Sequence, residues 1–314
     1  MTLEAAPTNR RATEAEFRTL VEPHLRALHV HCYRMLGSLH EAEDMVQETL
    51  LRSWRRYETF AQRSSFRAWL YGIATNACLD ALRQRRTRVL PSHIAAPDDP
   101  TAVPKPPATE VAWLEPYPDR LLDLDPAEQL DRRETVRLAF VAAVQQLPPR
   151  QRAVLILRDV LGWSAAEAAE LLETSIPSVT SALQRARAGV ASVPPLERVS
   201  AAAEQETVAR YVAAWDAGDV AGLAALLKED VEMTMPPTPS WYRGREAVAA
   251  FFGAHFARFP AGRLRLAPTR ANGTVALAVY DGETPFALKV LEIDRRGIRA
   301  IDGFTDPTLF ALFA

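Results

Sequence analysis

The sequence predicts a multidomain protein in which two all-α helical domains are followed by a C-terminal α+β domain. Apolar residues recur at helical spacing over about residues 14–90 and 130–191, whereas short alternating segments separated by glycine turns follow from about residue 263. Between the two helical parts, residues 91–126 contain nine prolines, which forbid a regular helix and mark a domain boundary. At 314 residues the chain is long enough for several domains.

Composition excludes several classes of protein. Apolar residues make up 48% of the chain and the net charge is −2, as in ordinary soluble globular proteins. No uninterrupted apolar run approaches the roughly 18 residues of a membrane span, and the first residues lack the apolar core of a signal peptide. We therefore expect a cytoplasmic protein with no membrane partner. Cys32 and Cys78 fall on apolar faces of predicted helices, so we expect reduced core thiols, with no metal and no cofactor.

Residues 14–90 are expected to form the first helical domain, with three amphipathic helices around one core. Thr13 with Glu16 and Ser38 with Glu41 have the spacing of capping boxes, and Gly37 interrupts the pattern before the second. The third helix follows the polar turn AQRSS. The residues expected to face the core are Phe17, Leu20, Val21, His24, Leu25, Leu28, Cys32, Met35, Leu36, Ala42, Met45, Val46, Thr49, Leu50, Trp54, Tyr57, Phe66, Trp69, Leu70, Ile73, Ala77, Cys78 and Ala81.

An arginine-rich stretch lies within this domain. Nine arginines between Arg52 and Arg88 are accompanied by only two acidic residues, Glu58 and Asp80. Such a stretch indicates a surface that binds a polyanion, although a solvated helix face has the same composition. Aromatic rings can receive unstacked bases, so nucleic acid is favoured by the aromatic residues of the same stretch, which are Tyr57, Phe60, Phe66, Trp69 and Tyr71.

The segment 91–126 is expected to be a proline-rich linker. Polyproline-like chain extends by about 3 Å per residue, which suits a spacer. Its part VPKPPATEVAWLEPYPDRLLDLDP, however, carries large apolar side chains that a spacer does not need. We therefore expect this part to dock on the C-terminal domain or on a partner, through Trp113, Leu114, Pro116 and Tyr117.

Residues 127–192 contain the most specific local pattern of the chain. Ser164 and Glu167 form a capping box for a short helix, residues 173–175 make a turn, and the apolar positions of a second helix follow. This is the pattern of a helix-turn-helix, with a plain helical hairpin as the alternative. Hydroxyl and amide groups near the second helix suit base edges and later arginines suit phosphates, so the candidate DNA contacts are Ser164, Ser178, Ser181, Gln184, Arg185 and Arg187.

Two blocks of the sequence resemble the extracytoplasmic-function sigma factors of bacterial RNA polymerase. EAEDMVQETLLRSWRRYETF, followed by SFRAWLYGIATNACLDALRQRRTR, is similar to sigma region 2. LPPRQRAVLILRDVLGWSAAEAAELLETSIPSVTSALQRAR is similar to sigma region 4. In this order the blocks are highly specific, and the resemblance implies that core RNA polymerase and promoter DNA are partners.

The resemblance also assigns roles to outward positions. Region 4 is implied to read the minus 35 element, and region 2 to bind core polymerase and open the minus 10 element. The implied polymerase-binding face is Asp44, Gln47, Glu48, Leu51 and Arg55. The implied minus 10 contacts are Arg63, Arg67, Thr75, Asn76, Asp80, Arg83 and Arg86. Phe66 and Trp69 keep the buried spacing and are expected in the core, and Asn76 has the alternative role of satisfying buried backbone groups.

Residues 204–314 resemble, by pattern, the SnoaL-like α+β cone. After helices in EQETVARYVAAWDAGDVAGLAALL and REAVAAFFGAHFARF, strands are expected in RLRLAPTR, TVALAVY, FALKVLEID and GIRAIDGF. WLEPYPDRLLD resembles a linker signature of sigma factors with such an extension. The glycine-rich DGGGR motif of a related subgroup is absent, since residues 280–283 read YDGE.

Relatives of this cone include isomerases and cyclases, whose chemistry needs a carboxylate or histidine in an apolar pocket. The candidates are Asp216, Asp230, Glu232, His255, Tyr280 and Asp302. Asp216 lies at a helix end, Asp230 in an expected turn, and His255 beside phenylalanines as a core histidine would, so we do not expect an enzyme. A regulatory domain that docks on the sigma domains, with or without a small ligand, is expected instead.

The sequence thus predicts a sigma factor that is modulated by its own C-terminal domain, with an anti-sigma factor or intramolecular inhibition as further means of control. One alternative is a one-component helix-turn-helix transcription regulator with a ligand-sensing cone, which leaves the arginine-rich stretch and DMVQE unexplained. The other is a SnoaL-like isomerase or cyclase with a DNA-binding arm.

Overall fold

Four α-helices lie in the described part of the first helical domain. The computed structural model describes residues 14–60, 65–122, 134–191, 193, 197 and 199–313. In this domain it contains α1 (Glu14–Val21), α2 (Leu25–Leu36), α3 (Leu39–Arg56) and α4 (Phe66–Leu82). Ser38 caps α3 by accepting a hydrogen bond from the amide of Glu41, and Gly37 ends α2 with φ of 70°. Cys32 and Cys78 are buried free thiols.

The first predicted helix differs from expectation. Residues Glu22–His24 form a 3₁₀ turn that separates α1 from α2, because Pro23 has no amide hydrogen for an α-helical bond. Leu20 and Trp54, which were expected in the core, are 42% and 40% exposed. Thr13, the proposed cap of this helix, lies outside the described residues.

The linker lies against both neighbouring domains. Val89 and Trp113 form a parallel bridge, so the chain returns to the end of the first helical domain. Farther back, the amide of Asp98 donates to the carbonyl of Trp241, and the amide of Ala108 donates to the carbonyl of Pro237. Those two partners belong to the C-terminal domain. The described part of the linker is therefore held along its length, whereas an extended spacer was one alternative.

The second helical domain also has four described helices. These are α5 (Leu138–Gln145), α6 (Pro149–Leu155), α7 (Ala165–Leu171) and α8 (Ile176–Val190). A π-helical turn, Ile156–Val160, continues α6. Within the described residues of the whole chain, no helix has both the length and the hydropathy to cross a membrane.

The C-terminal domain combines helices with one six-stranded sheet of order β2-β1-β6-β5-β4-β3. Its elements are α9 (Ala201–Ala217), α10 (Val220–Ala225), β1 (Leu227–Met235), β2 (Thr238–Arg243), α11 (Arg245–Arg258), β3 (Leu264–Ala271), β4 (Thr274–Asp281), β5 (Thr284–Asp294) and β6 (Gly297–Phe304). β1 pairs with β6 in parallel, and the other neighbours are antiparallel. Strands β1 and β2 were not predicted, and the turn predicted at Asp230 is wrong, since this residue lies in β1. Charged residues interrupt the apolar alternation of β1 and hide the strand.

The two faces of this sheet pack against different partners. Leu277 and Leu291 belong to the inner face, which packs with Tyr211 and Phe252 of the domain's own helices. Alternate residues of the same strands, including Ala278, Leu288 and Val290, join the apolar cluster of the two helical domains. Because successive strand residues point to opposite faces, one sheet closes both cores.

Asn272, in the turn between β3 and β4, joins all the domains. It is fully buried with φ of 53°, and Gly273 follows it in a turn sequence that favours this left-handed backbone. Its side-chain oxygen accepts from the amide of Tyr117, and its backbone amide donates to the carbonyl of Tyr117, both at 2.8 Å. Its side-chain nitrogen donates to the hydroxyl of Tyr33 at 2.8 Å and to the carbonyl of Val136 at 2.7 Å. One side chain thus binds the first helical domain, the linker and the second helical domain.

Two buried arginines make further connections between domains. Arg152 of α6 donates to the carbonyl of Met35, near the C-terminal end of α2, where a helix favours a cation. Burial lowers the pKa of Arg152 to about 10. Arg137 forms a bidentate ion pair with Glu292 of β5, with N–O distances of 3.2 and 2.9 Å. The three domains therefore share hydrogen bonds and ion pairs as well as an apolar core.

We predict that Asn272→Gly loosens the junction between the domains. Glycine keeps the left-handed backbone but leaves the amide of Tyr117 and the carbonyl of Val136 without their side-chain partner, a loss of about 2–6 kcal/mol at 1–3 kcal/mol per buried group. Limited proteolysis should cut the linker faster in this variant. Glu283→Gly, in the exposed turn between β4 and β5, is the matched control and should be cut at the wild-type rate. Equal cleavage of both variants and wild type would show that Asn272 does not hold the junction.

Candidate nucleic-acid interface

One face of α3 is exposed and carries the residues implied to bind polymerase. Asp44, Gln47 and Arg55 are exposed, and Glu48 pairs with Arg52 one turn later at 2.6 Å. Leu51 is 53% exposed between these polar neighbours. The opposite face buries Ala42, Val46 and Thr49. The helix thus presents an apolar side chain, ringed by charges, that no described part of this chain covers, as at a protein-binding surface.

The arginine-rich surface is formed mainly by α4 and the chain that follows it. Arg67, Asn76, Arg83 and Arg86 are exposed. Asp80 is exposed as well but lies between two cations, accepting from Arg52 at 3.2 Å and from Arg83 at 3.1 Å. Arg63 lies outside the described residues.

Thr75 requires a correction. It was expected to project outward, but it is fully buried, and its hydroxyl lies 2.9 Å from Nε2 of His31 in α2. Desolvation by burial lowers the pKa of His31 to about 3, so the imidazole is neutral. Helical periodicity placed Thr75 at the edge of the buried stripe, and α2 covers that edge. Thr75 is therefore a core contact between α2 and α4.

An aromatic cluster lies at the start of α4, close to the arginines. The ring centroids of Phe60 and Trp69 are 4.9 Å apart, and those of Phe66 and Trp69 are 5.6 Å apart. Tyr57 packs edge-on against Phe66 at 6.4 Å. These rings are half-buried, so each packs on the core with one part and reaches the surface with another. Stacking surfaces and cations therefore lie side by side.

A groove separates this surface from the second helical domain. Its first wall is basic and aromatic, with Arg52, Arg56 and Trp69 beside Asn76. Its second wall comes from α7 and from Trp163, two residues before that helix, and includes Glu167, Glu170 and Leu171. The side chains of Glu167 and Glu170 thus face the arginine-rich surface across the groove. A polyanion that binds the arginines would have to enter the same groove.

The helix-turn-helix consists of α7, a turn and α8. Ser164 and Glu167 form the capping box at the start of α7, as expected. Glu173 takes the left-handed conformation in the turn, with φ of 49°, and Ser175 caps α8. Val179, Leu183 and Ala186 are the buried residues of α8, which secure this helix on the domain.

The outward side of α8 carries the predicted DNA contacts. Ser178, Ser181, Gln184 and Arg185 are exposed. Arg187 is also exposed but forms a bidentate pair with Asp159, both N–O distances being 2.8 Å. Arg187 therefore orients α8 on the preceding π-helical turn.

The predicted docking residues of the linker are buried. Tyr117 lies between Tyr33, whose ring centroid is 4.6 Å away, and Asn272. Leu114 touches the site of Gly37, where an added Cβ would come within 2.8 Å of its Cδ1 atom. Trp113 and Pro116 are buried as well. The linker thus fills the space between the first helical domain and the C-terminal domain.

Glu115, which the sequence analysis missed, lies within the same linker stretch. Its carboxylate accepts from the hydroxyl of Ser38 and from the amide of Leu39, both at 2.9 Å, at the N-terminal end of α3. It also accepts from Arg88 at 3.0 Å. A carboxylate is favourable at a helix N-terminus. Glu115 therefore joins the linker to α3, the helix whose exposed face is implied to bind polymerase. Its place among the docking residues was a signal available in the sequence.

The acids and the histidine considered for catalysis do not converge. Asp216 and Asp230 are exposed, and Glu232 pairs with Arg243 at 2.6 Å. Among the six candidates only His255 lines the cavity enclosed by the sheet and α11. The other five candidates lie on the outer surface of the domain or on the outer face of the sheet. They are Asp216, Asp230, Glu232, Tyr280 and Asp302.

Asp302 is the most perturbed of these acids. It is buried on β6, and its carboxylate accepts from the hydroxyl of Thr234 at 2.7 Å. Desolvation by burial raises its pKa to about 7, and the charges of Glu292 and Glu232 act in the same direction. It lies near the Arg137–Glu292 pair that joins the domains. Between pH 3.8 and about 7, the carboxyl group of Asp302 therefore keeps a proton in the folded protein that it releases in the unfolded chain.

We predict that Asp302→Asn stabilises the protein at pH 8 and changes little near pH 4. Between pH 3.8 and about 7 the unfolded carboxyl ionises while the folded one stays protonated, so wild-type stability falls as pH rises through this window. Asparagine stays neutral, which removes a penalty of up to about 4 kcal/mol. Chemical denaturation at both pH values measures the difference. Asp216→Asn, which neutralises an exposed acid of α9, is the control. An Asp302→Asn variant that is no more stable than wild type at pH 8 would contradict the prediction.

Three family models match the chain in order. Sigma-70 region 2 matches residues 20–88, Sigma-70 region 4 matches residues 137–188, and the SnoaL-like domain matches residues 208–305. The ECF RNA polymerase sigma factor SigG of Mycobacterium tuberculosis is 45% identical over 308 residues, covering 95% of this chain and 83% of that protein. The sigma factor SigJ of the same organism is 29% identical over 298 residues, covering 92% and 83%.

The fold also has a solved relative. The crystal structure of SigJ superposes with a TM-score of 0.64 at 23% identity, covering 94% of this chain and 98% of that one. Two helical domains followed by an α+β domain are thus confirmed as the fold class, and the family predicted from the sequence is confirmed as well. The chain belongs to the extracytoplasmic-function (ECF) sigma factors of RNA polymerase.

Proposed function

We propose that this sigma factor binds core RNA polymerase through the exposed face of α3. The observation that carries this is Leu51, an apolar side chain 53% exposed among charged neighbours on an otherwise well-packed helix. The relative SigG is a sigma factor of RNA polymerase, which supports the same partner here. The one-component regulator assigns no partner to this second protein-binding face, so the surface favours the sigma factor over that alternative.

The minus 10 element is proposed to bind the surface of α4 and the chain after it. The exposed side chains Arg67, Asn76, Arg83 and Arg86 supply cations and a base-reading amide. The neighbouring rings of Phe60 and Trp69 are half-buried. An unstacked base needs both a cationic surface for its phosphates and a ring on which to stack, and both occur here.

The minus 35 element is proposed to bind α8. Ser178, Ser181 and Gln184 follow one face of this helix from its capped start, as a recognition helix in a major groove requires. Arg185 is placed for phosphate, and the polymerase supplies the bond-forming chemistry.

The C-terminal domain is proposed to restrain the sigma domains. It binds both of them through Asn272 and Arg137, and in this arrangement Glu167 and Glu170 of the second helical domain face the arginine-rich groove. Promoter DNA then has to displace these carboxylates. Loosening the junction through Asn272→Gly should accordingly raise promoter-dependent transcription. Because the candidate acids do not converge, we assign the domain a regulatory role and no catalytic one.

We predict that Leu51→Ser weakens binding to core polymerase. Loss of an apolar contact at a protein interface costs about 1–2 kcal/mol, or roughly tenfold in affinity. Core polymerase reconstituted with the full chain is assayed for its Kd, which should rise, and for promoter-dependent transcripts, which should fall. Ile94→Ser removes another exposed apolar side chain, 48% exposed and remote from α3, and should behave like wild type. Failure of wild type to give transcripts from any genomic promoter, despite DNA binding, would refute the sigma function itself.

We predict that Arg185→Ala weakens promoter binding and reduces its salt dependence. Each lost phosphate contact lowers the slope of log K against log salt by about one unit. Binding to minus 35 duplexes at several salt concentrations measures this slope. Arg210→Ala, on the exposed side of α9, is the control and should leave the slope unchanged. An unchanged slope for Arg185→Ala would remove this residue from the interface.

A further inference from the structure

The C-terminal domain contains a cavity whose chemistry the sigma function does not explain. Its volume is about 280 Å³, and it lies between the inner face of the sheet, α9 and α11. Its walls are mainly apolar, with Trp215, Met233, Phe251, Phe259 and Phe286. At about 30 Å³ for each water-sized group, it has room for a ligand of on the order of ten heavy atoms.

A lysine is buried in this apolar wall. Lys289 of β5 is only 7% exposed, and its Nζ atom has no hydrogen-bond partner among the described residues. The ammonium group lies 3.3 Å from the ring centroid of Trp215. That contact favours the charged form, while desolvation disfavours it more strongly and lowers the pKa of Lys289 well below its usual range. A buried donor without an acceptor destabilises the folded state, so an acceptor arriving from outside gains that energy.

Two other groups at the cavity are an imidazole and a guanidinium. His255 lines it with an Nε2 atom that has no described partner, and Arg258 lies beside it on α11. Burial and the nearby Lys289 lower the pKa of His255 to about 4. The described residues that line the cavity include no aspartate or glutamate. An occupant therefore meets cationic and donor groups at one point and apolar walls elsewhere.

The linker forms part of the rim of the cavity. Residues Pro100–Pro104 line it, and hydrogen bonds hold the chain on both sides of them. The amide of Asp98 donates to the carbonyl of Trp241 at 2.8 Å, and that of Lys105 donates to the hydroxyl of Ser240 at 3.0 Å. An occupant of the cavity would touch the segment that connects the two sigma domains.

We propose that this cavity binds a small apolar monocarboxylate, with its carboxylate accepting hydrogen bonds from Nζ of Lys289 and its tail lying against Trp215 and Phe251. The carboxylate supplies the acceptor that Lys289 lacks, and ion pairing inside an apolar wall restores its positive charge. An apolar amine is disfavoured because no carboxylate of the described lining faces it. The site thus gives the regulatory domain a ligand class that reaches the linker.

Octanoate binding to the full chain, measured by calorimetry, tests the proposal. Octanol has a matched tail without the charge and should bind at least tenfold more weakly than octanoate. Lys289→Met keeps the length of the side chain and removes the donor, so octanoate affinity should fall at least tenfold. This variant should melt no lower than wild type, because methionine has no unpartnered ammonium to bury. Arg210→Met, which changes an exposed cation of α9 outside the lining of the cavity, is the control and should bind octanoate as wild type does.

Three results would overturn the proposal. One is the absence of heat and of a melting shift with octanoate at millimolar concentration. Another is equal affinity of wild type for octanoate and octanol, a comparison that needs no variant and holds even if Lys289→Met fails to fold. The third is covalent capture of octanal at Lys289 by borohydride reduction without octanoate binding, which would make the site a carbonyl-binding one.

Discussion

The hydrogen bonds of Asn272 are the contact on which the arrangement of this sigma factor depends. A hairpin turn in a left-handed conformation inserts one amide side chain between Tyr33, Tyr117 and Val136, which belong to three different segments of the chain. All of its partners are buried, so each bond replaces one that water would otherwise make. The docked linker, the position of α7 over the arginine-rich groove and the shared apolar core all require these segments to meet at this point.

The docked arrangement gives the two proposed DNA surfaces different accessibility. The outward side of α8 is exposed, whereas the surface of α4 shares a groove with Glu167 and Glu170. The polymerase-type face around Leu51 is exposed as well. The chain in this state therefore exposes its proposed polymerase-binding face and its proposed minus 35 helix, while carboxylates oppose the proposed minus 10 surface. A sequential process, with polymerase contact before strand opening, is compatible with this geometry.

Local sequence patterns predicted the local structure well. The N-cap at Ser38, the capping box at Ser164, the buried stripe of α8 and strands β3 to β6 are formed by residues close together in sequence. Their spacing therefore predicts the element. Contacts between residues that are far apart in sequence cannot be predicted from the local spacing of residue types. Thr75 was misplaced because α2 covers the edge of its helix, and the partners of Asn272 lie 136–239 residues away. Lys289 was detectable in principle, since it interrupts an inward-facing run that includes Ala287 and Leu291.

The linker fixes the ratio of the C-terminal domain to the sigma domains at one to one, because all three belong to one chain. Because the C-terminal domain, which we propose restrains the sigma domains, belongs to the same chain, the contact between Asn272 and Tyr117 is intramolecular. Its occupancy depends on an effective local concentration set by the tether rather than on expression level. Millimolar effective concentrations are typical of short tethers. A separate inhibitor must be synthesised in proportion to its target, whereas here the stoichiometry is one to one in every cell. The fraction of open molecules is then independent of expression level and can be changed by a ligand or by a competing partner.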